Sequence, residues 1–485
     1  MGSLAGLLQS RRGWSCWRRL RSPSFRFPNS PAAAHLKRAA LWPGCLRGME
    51  EGVDEDEKQK QEPPPPPPPP RVSTSYRAIQ RVGIAVDETN VLPGALQLIR
   101  KLRPQWETER VKTKLFTEGI TNKLMACFTA ENMGDAVLVR VYGRKTELIV
   151  DRANELRNFQ VLQDHSCAPS LYCTFENGYC YEFMPGKALG PEHIRQPNIF
   201  RLVAHEMAKM HRIHTNGSLP KPCLWHRLHK YFNIVKTEFP RKASNSGLHQ
   251  EVHIPSLEVL EEEIRWMKEH LSQLRSPIVF CHNDLLSKNI IYNKAEGHVR
   301  FIDYEYTGYN YQAYDIGNHF NEFAGLNEVD YSLYPSKEIQ LQWLRHYLQA
   351  YKKLGQEDLG GGSKSRGESG AVSEEELESL YVQVNQFALA SHFLWACWGL
   401  IQAQFSTIDF NFARYADIRF KQYFKAKPAV TSFKMSNCFN AERSDIMKRG
   451  MEKESTPFLK PKIKPSPWNM AVPSMDYLPR VAFRR

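Results

Sequence analysis

The fold is decided by the stretch VFCHNDLLSKNIIY at residues 279–292, which is followed closely by HVRFIDYE at residues 298–305. Apolar runs at both ends of the first stretch enclose a polar loop, and the apolar run of the second ends at Asp303. Short apolar runs that flank a loop are typical of buried strands. The pattern therefore predicts short strands that hold a polar loop next to a carboxylate at a strand end.

The polar loop has the spacing of a phosphoryl-transfer centre. Asp284 and Asn289 are five positions apart, and Asp303 follows on the next strand. Kinase-type loops carry an Asp that accepts the proton of the nucleophile, an Asn five positions later that binds magnesium, and a second metal-binding Asp beyond it. Oxygen ligands of this kind suit Mg²⁺. Each side chain alone is more simply explained as a turn cap, a loop residue or a strand end, but the ordered spacing favours a catalytic centre.

The charge of the chain is unevenly placed. The 485 residues carry a formal net charge of +13, of which residues 1–48 contribute +9 and residues 431–485 contribute +6. Residues 49–430 therefore carry −2. Because a basic footprint for nucleic acid has to lie on the folded domain, we predict no nucleic-acid partner.

The two ends are predicted to lie outside the globular part. Residues 1–48 lack acidic residues and are rich in Arg and Ser, as mitochondrial transit peptides are. Prolines there, among them Pro23, Pro28 and Pro31, limit an amphipathic helix, so a basic disordered leader on a cytoplasmic protein is favoured, and mitochondrial targeting stays open as the alternative. Residues 49–82 form an acidic linker with eight consecutive prolines, typical of a polyproline spacer. Residues 431–485 predict a basic disordered tail.

The cysteines and the apolar runs limit the class of protein. The ten cysteines show no close pairing of the kind that binds zinc, so reduced thiols are expected. No apolar run reaches the length of a membrane span, and no transmembrane segment is predicted.

The first globular part, residues 83–185, is predicted to be a small antiparallel sheet with one helix. The strand-like runs are 111–116, 124–129, 136–142, 171–175 and 179–183, and the helix covers 151–163. Gly119 lies in the first turn, where a small residue would let backbone amides approach phosphates, although an ordinary hairpin explains one glycine equally well. Arg140 on the third strand could reach phosphates with Glu155 of the helix as its partner, but an exposed Arg and a solvated Glu are the simpler alternatives.

The second globular part, residues 186–430, is predicted to be mainly helical. Apolar spacing of 3.6 residues marks helices at 200–213, 224–235 and 257–274. Further helical segments are predicted at 313–323, 337–352, 375–404 and 410–424. Residues 354–374 contain three consecutive glycines and many polar residues, which indicates a mobile insertion. Trp395 and Trp398 share one face of the longest helix, where core packing and a role as a face for a cation are equally plausible.

With these features placed, the chain resembles the choline and ethanolamine kinase family, and it is most similar to the ethanolamine kinases. The resemblance covers about residues 83–430. It is carried by segments 116–123, 137–143, 281–292, 301–325 and 387–424. It implies an α+β, two-lobed, protein-kinase-like fold with a small antiparallel sheet lobe with one helix and a larger, mainly helical lobe. It also implies ATP- and Mg²⁺-dependent phosphorylation of an amino alcohol, the first step toward phosphatidylethanolamine by the CDP-ethanolamine route.

The resemblance assigns roles position by position. Asp284 resembles the catalytic base, and Asn289 and Asp303 resemble the magnesium ligands. The implied nucleotide-binding positions are Gly119 and Asn122 in the phosphate loop, Arg140 with its orienting Glu155, and Glu182 and Met184 in the hinge beside adenine. The implied amine-pocket positions are Tyr306, Glu322, Trp395, Trp398 and Tyr415.

The residues leave the acceptor open between ethanolamine and choline. A primary ammonium has three donors that need acceptors, whereas a trimethylammonium has none and suits a closed aromatic box. Further alternatives are an aminoglycoside or protein kinase, against which the aromatic helix counts, and a catalytically silent scaffold, against which the complete set of loop residues counts. A homodimer stays open as well.

Overall fold

The computed structural model describes residues 79–116, 122–143, 145–215, 220–243, 252–326, 328–358, 371–406 and 408–434. All of them belong to one compact unit, residues 72–485. The predicted leader, most of the linker, Gly119 and most of the predicted insertion and basic tail lie outside the described residues.

The N-terminal lobe is built on a six-stranded sheet. Its strands are β1 (Gln80–Val82), β2 (Lys112–Phe116), β3 (Asn122–Phe128), β4 (Val137–Tyr142), β5 (Leu171–Phe175) and β6 (Gly178–Glu182). Their order is β1-β5-β6-β4-β3-β2, with every pair antiparallel except β1 and β5. The structure thus confirms the predicted sheet and adds β1 at its edge.

Two helices cover this sheet. α1 (Val91–Leu102) buries Ala95, Leu98 and Ile99 in the same apolar cluster as the inner face of β4. α2 (Arg152–Asp164) begins at Asp151, whose carboxylate accepts a hydrogen bond from the backbone amide of Asn154, a stabilising N-cap. α2 carries the buried Glu155 toward the junction of the two lobes.

The C-terminal lobe is mainly helical, as predicted. Its helices are α3 (Pro191–Ile194), α4 (Pro197–His211), α5 (Leu224–Ala243), α6 (Leu257–Ser272), α7 (Gln312–Asn321), α8 (Lys337–Asp358), α9 (Glu374–Phe405) and α10 (Phe412–Thr431). Its strands are β7 (Lys187–Ala188), β8 (Ile278–Cys281), β9 (Ile290–Asn293), β10 (His298–Phe301) and β11 (Gly308–Tyr311). No described helix combines the length and apolar character needed to cross a bilayer.

Two short sheets hold the polar loop. β8 pairs with β11, and β9 pairs with β10 and β7, all antiparallel. The loop between β8 and β9 closes with a 3₁₀ turn, Ser287–Asn289. The backbone amide of Ile302 donates to the carbonyl of Asn289 at 2.9 Å, which brings the end of β10 next to the loop. The spacing of apolar runs therefore predicted this part of the fold correctly.

Three described helices end well after their predicted ends. α5 was predicted to end at Val235, but it continues to Ala243. α8 runs to Asp358, so the first residues of the predicted insertion are helical. α10 was predicted to end at Phe424, but it continues through Pro428 to Thr431. Packing explains the extension, because Lys427 in the last turns bonds to Glu263 and lies 3.7 Å from the ring centroid of Trp266 on α6. A proline near a helix end removes only one late hydrogen bond.

Candidate active site

A cavity of about 130 Å³ brings the predicted loop and the predicted aromatic residues together. Its wall includes the three predicted catalytic residues, Asp284, Asn289 and Asp303. It also includes all five predicted amine-pocket residues, Tyr306, Glu322, Trp395, Trp398 and Tyr415. These residues come from the polar loop, the segment after β10, the end of α7, α9 and α10, so only the tertiary fold brings them together.

Asp284 lies among other carboxylates. Its desolvation in the cavity wall, together with the nearby negative charges of Asp303, Glu322 and Glu305, raises its pKa well above the ordinary value of an aspartate. Arg227 opposes this effect, because a cation favours the ionised carboxylate. A carboxylate with raised proton affinity is suited to accept a proton from a hydroxyl group.

Asn289 and Asp303 offer oxygen atoms of the kind that Mg²⁺ prefers. The side-chain amide nitrogen of Asn289 donates to the backbone carbonyl of Asp284 at 2.9 Å, which leaves its amide oxygen for a cation. One carboxylate oxygen of Asp303 accepts from Arg140 at 2.7 Å, which leaves the second. Both side chains line the cavity, so the donor set fits magnesium.

Arg140 lies behind these carboxylates. Its guanidinium contacts Asp303 at 2.7 Å and Glu305 at 3.0 Å, and the Arg140 side chain is only 7% exposed. Both of its acidic partners line the cavity, whereas Arg140 itself does not. In this conformation Arg140 joins β4 of the sheet lobe to the segment after β10, and thereby links the two lobes.

The predicted pairing of Glu155 with Arg140 is electrostatic in this conformation, since each charge lies near enough to favour the ionised form of the other, while the hydrogen bonds of Glu155 go elsewhere. Glu155 accepts from Arg152 at 2.8 Å and from the hydroxyl of Tyr179 at 3.0 Å. Arg152, three residues earlier on α2, lies on the same helix face as Glu155 and reaches its carboxylate first. Arg152 also contacts Glu305 at 3.1 Å, so Glu155, Arg152 and Arg140 belong to one charged network.

The other predicted nucleotide positions lie apart from the cavity. The amide nitrogen of Asn122 donates to Glu305 at 3.1 Å, which makes Asn122 part of the same lobe-joining network. Glu182 and Met184 line a separate groove of about 510 Å³ beside the connection between the lobes. The carboxylate of Glu182 accepts there from the backbone amide of Ser170 at 3.0 Å. Gly119 lies outside the described residues.

Aromatic rings supply the second part of the cavity wall. Trp395 packs edge to face against Tyr306 and Trp398, with ring centroids 5.2 Å and 5.5 Å apart. The indole N–H of Trp395 donates to Asn318, and that of Trp398 donates to the hydroxyl of Tyr306. Because both indole N–H groups have partners, the ring faces are what remains to bind a cation.

A buried ion pair completes the wall. Arg419 donates to Glu322 at 2.5 Å, and both side chains are less than 10% exposed. The guanidinium carbon of Arg419 also lies 5.1 Å from the ring centroid of Tyr415. Arg419 therefore holds Glu322 through one carboxylate oxygen, and the second oxygen is the acceptor that the pocket can offer an ammonium group.

Several functional contacts were missed in the sequence. Glu305 stands two residues after Asp303 in the quoted stretch, and its position there was a usable signal. Arg419 follows Tyr415 by four residues, which places both on one helix face. Asp315, on α7, accepts from the backbone amides of His282 and Asn283 at 2.9 Å and 2.7 Å, and so holds the polar loop. Nothing in the local sequence indicated that contact, which spans more than thirty positions.

Comparison with known proteins identifies the family. The family model described as choline/ethanolamine kinase matches residues 113–424. The chain belongs to the choline/ethanolamine kinase family. The matched residues include the polar loop, the aromatic helix α9 and the first part of α10.

Relatives within this family are similar over most of their length. The human protein named ethanolamine kinase 2 is 59% identical over 408 residues, which cover 84% of this chain and 98% of the relative. The mouse protein named ethanolamine kinase 1 is 57% identical, over 72% of this chain and 93% of its own. Among solved structures, an ethanolamine kinase of Plasmodium vivax matches with a TM-score of 0.57 at 28% identity, over 70% of this chain and 89% of that one. The predicted kinase-like fold and the family resemblance are thus confirmed.

Proposed function

We propose that this protein phosphorylates ethanolamine with ATP to give phosphoethanolamine. The observation that carries the proposal is the cavity in which the loop carboxylate Asp284 and the oxygen ligands of Asn289 and Asp303 share a wall with an aromatic pocket. The relatives named ethanolamine kinases support the choice of acceptor. As part of the same proposal, the product enters phosphatidylethanolamine synthesis by the CDP-ethanolamine route in the cytoplasm.

The ammonium group of ethanolamine binds among the aromatic rings. The faces of Trp395, Trp398 and Tyr415 attract a cation, and such contacts contribute about 2 kcal/mol when they are desolvated. A primary ammonium also needs hydrogen-bond acceptors, which a trimethylammonium does not. The second carboxylate oxygen of Glu322 meets that need, and the pocket therefore favours ethanolamine over choline.

Asp284 acts on the hydroxyl group of the acceptor. It orients the oxygen for in-line attack on the γ-phosphorus of ATP and accepts the hydroxyl proton as the new O–P bond forms. The bond between the γ-phosphorus and the oxygen that bridges it to the β-phosphate breaks, and ADP leaves with that oxygen. Magnesium, when bound by Asn289 and Asp303, offsets negative charge on the phosphate oxygens.

The nucleotide contacts are also proposals. Arg140 bonds to Asp303 and Asn122 bonds to Glu305, so both lie in the network that joins the lobes, from which they would reach phosphates once those bonds are exchanged. Glu155 restrains that network through Arg152. Glu182 and Met184 lie in the connection beside which adenine binds in kinase-like folds, and Gly119 belongs to the turn predicted over the phosphates.

The test is ADP production by the purified chain with ATP, Mg²⁺ and either ethanolamine or choline. We expect kcat/KM for ethanolamine to exceed that for choline by about tenfold or more, since an unpaired buried acceptor weakens binding of the wrong ligand. A preference for choline would support the proposed phosphoryl transfer but contradict the assignment of ethanolamine as the acceptor. A folded protein that consumes ATP with neither alcohol would overturn the proposal in favour of a silent scaffold.

A further inference from the structure

Asn283 stands in the polar loop between the buried His282 and the carboxylate Asp284. It is 1% exposed, and its backbone has a φ of 68°, in the left-handed region that few residue types other than Gly, Asn and Asp adopt readily. A conformation of this kind persists only where surrounding contacts hold it. The contacts of Asn283 are therefore informative.

The side chain of Asn283 is fully engaged. Its amide nitrogen donates to the backbone carbonyl of Tyr306 at 2.9 Å and lies within 3.2 Å and 3.4 Å of the carbonyls of Gly308 and Cys281. Its amide oxygen accepts from the side chain of Asn310 at 2.8 Å. These bonds tie the catalytic loop to the segment that begins β11.

The main acceptor belongs to the amine pocket. Tyr306 lines the cavity, receives the indole N–H of Trp398 on its hydroxyl at 3.0 Å, and packs against Trp395. A second donor, the guanidinium of Arg227 on α5, reaches the same Tyr306 carbonyl at 3.1 Å. The position of the Tyr306 backbone is thus set from the catalytic loop on one side and from α5 on the other.

The backbone of Asn283 is held as firmly as its side chain. Its amide donates to Asp315 at 2.7 Å, and the next residue in the chain is Asp284. Asn283 therefore connects two parts of the site whose distance from each other matters. One is the Asp284 carboxylate, which meets the hydroxyl of the acceptor, and the other is Tyr306, which lines the pocket for its ammonium end.

We propose that Asn283 is a positioning residue that sets the distance between the amine pocket and the catalytic carboxylate through its bond to the Tyr306 carbonyl. The inference rests on the proposed ethanolamine kinase activity and adds a determinant of acceptor binding to it. An ethanolamine molecule is only two carbons long between its nitrogen and its oxygen. If Tyr306 shifts, the bound ammonium group shifts with it. The hydroxyl then moves away from Asp284, because two carbons are too few to make up the difference.

The choice of residue follows from the partners. Three carbonyl oxygens surround the side-chain nitrogen, so the residue must donate. Aspartate has nearly the same shape and tolerates the left-handed backbone, but its carboxylate would face those carbonyls without a proton to share. Glycine keeps the backbone conformation and removes every side-chain bond. Asn283→Asp and Asn283→Gly therefore both remove the side-chain donor while they keep the backbone conformation.

Asn385 on α9 provides a matched control. It is also buried, and its side chain also makes four hydrogen bonds, to Tyr334, Tyr381 and twice to Gln340. It is absent from the cavity wall among the described residues. Asn385→Asp removes comparable bonds without touching the catalytic loop, so it reports the effect of a buried amide on folding alone.

The experiment is steady-state kinetics of the wild type and the variants, with ethanolamine and ATP varied in turn. We expect Asn283→Asp and Asn283→Gly to raise KM for ethanolamine about tenfold or more and to lower kcat, with KM for ATP changed less than about twofold. Arg227→Met, which removes the second donor to Tyr306, should raise KM for ethanolamine in the same direction by less. Asn385→Asp should leave both KM values unchanged.

Three outcomes would overturn the inference. The first is a normal KM for ethanolamine in both folded Asn283 variants, and the second is an equal rise in Asn385→Asp. The third applies if neither Asn283 variant folds, and it is a normal KM for ethanolamine in Arg227→Met. A wild-type chain that consumes no ATP with ethanolamine would instead remove the proposed function on which the inference stands, so the two failures are distinguishable.

Discussion

Asp284 shares a small cavity with three other carboxylates, and its pKa is raised first by burial and then by those negative charges. Replacement by asparagine keeps the shape of the side chain but removes the carboxylate that we propose as the proton acceptor. We expect Asp284→Asn to lower kcat by about a hundredfold or more, the usual contribution of a general base, and to leave KM for ATP within a few-fold. Single-turnover assays with separate measurement of ATP binding check this. Near-normal turnover would remove Asp284 from the chemistry.

His319 makes the fold sensitive to acid. Its ring nitrogen Nδ1 lies 3.0 Å from the backbone carbonyl of Leu285, and burial lowers its pKa to about 4. In the unfolded chain His319 takes up a proton near the ordinary histidine pKa of about 6.5, whereas in the folded chain it does so only at lower pH. The contribution of His319 is therefore fully present above pH 6.5 and is lost as the pH falls toward 4.

His319→Asn should remove this sensitivity, because its amide can still donate to Leu285. Between pH 7.5 and 5.5 the free energy of unfolding of the wild type should fall by about 1 kcal/mol more than that of the variant. Urea unfolding at both values measures the difference. His226→Asn, at an exposed position, serves as the control and should match the wild type. An equal pH dependence in His319→Asn and the wild type would contradict the prediction.

At the scale of elements, the pair of Glu322 and Arg419 joins the end of α7 to α10. Arg419→Met leaves the Glu322 carboxylate buried without its partner, which costs about 3–5 kcal/mol of stability and should raise KM for ethanolamine. The double variant Glu322→Gln with Arg419→Met removes both charges, so it should be more stable than Arg419→Met alone. Urea unfolding of the single and double variants checks this non-additivity.

An exposed pair gives the contrast for that measurement. Arg345 on α8 contacts Glu374 on α9 at 2.8 Å, with side chains 40% and 71% exposed. Arg345→Met should cost no more than about 1 kcal/mol, because water screens such pairs. If Arg345→Met and Arg419→Met lowered the free energy of unfolding equally, burial would not explain the larger contribution expected of the pair of Glu322 and Arg419.

Helices and strands could be predicted where the local sequence pattern decides them, but contacts between side chains that lie far apart in the sequence could not. Apolar runs placed β8, β9 and β10 around Asp284 because burial of a short strand leaves its mark on each residue in it. The hydrogen-bond partners of Arg140 were not predicted, because Asp303 and Glu305 lie more than 160 positions away. A strand pattern states which face a residue occupies, but it does not state which side chain meets it there. Trp395 was left between core and ligand for the same reason.

At the scale of the whole molecule, the buried core begins close to the start of the described residues. Val82 on β1 and Val86 after it belong to the apolar cluster under α1. Every residue proposed for the site follows them in the chain. The domain boundaries drawn from composition stay a prediction, and they place residues 1–75 outside the catalytic unit.

We therefore expect removal of residues 1–75 to leave kcat, both KM values and the thermal midpoint unchanged. A longer deletion, residues 1–102, supplies the control, because it removes β1 and α1 and uncovers the apolar face of β4. That protein should unfold at lower temperature and lose activity with it, since buried apolar side chains each contribute about 1.5–3 kcal/mol. If the shorter deletion folded normally but lost turnover, residues 1–75 would have to act in catalysis, and the boundary would have to move toward the N-terminus.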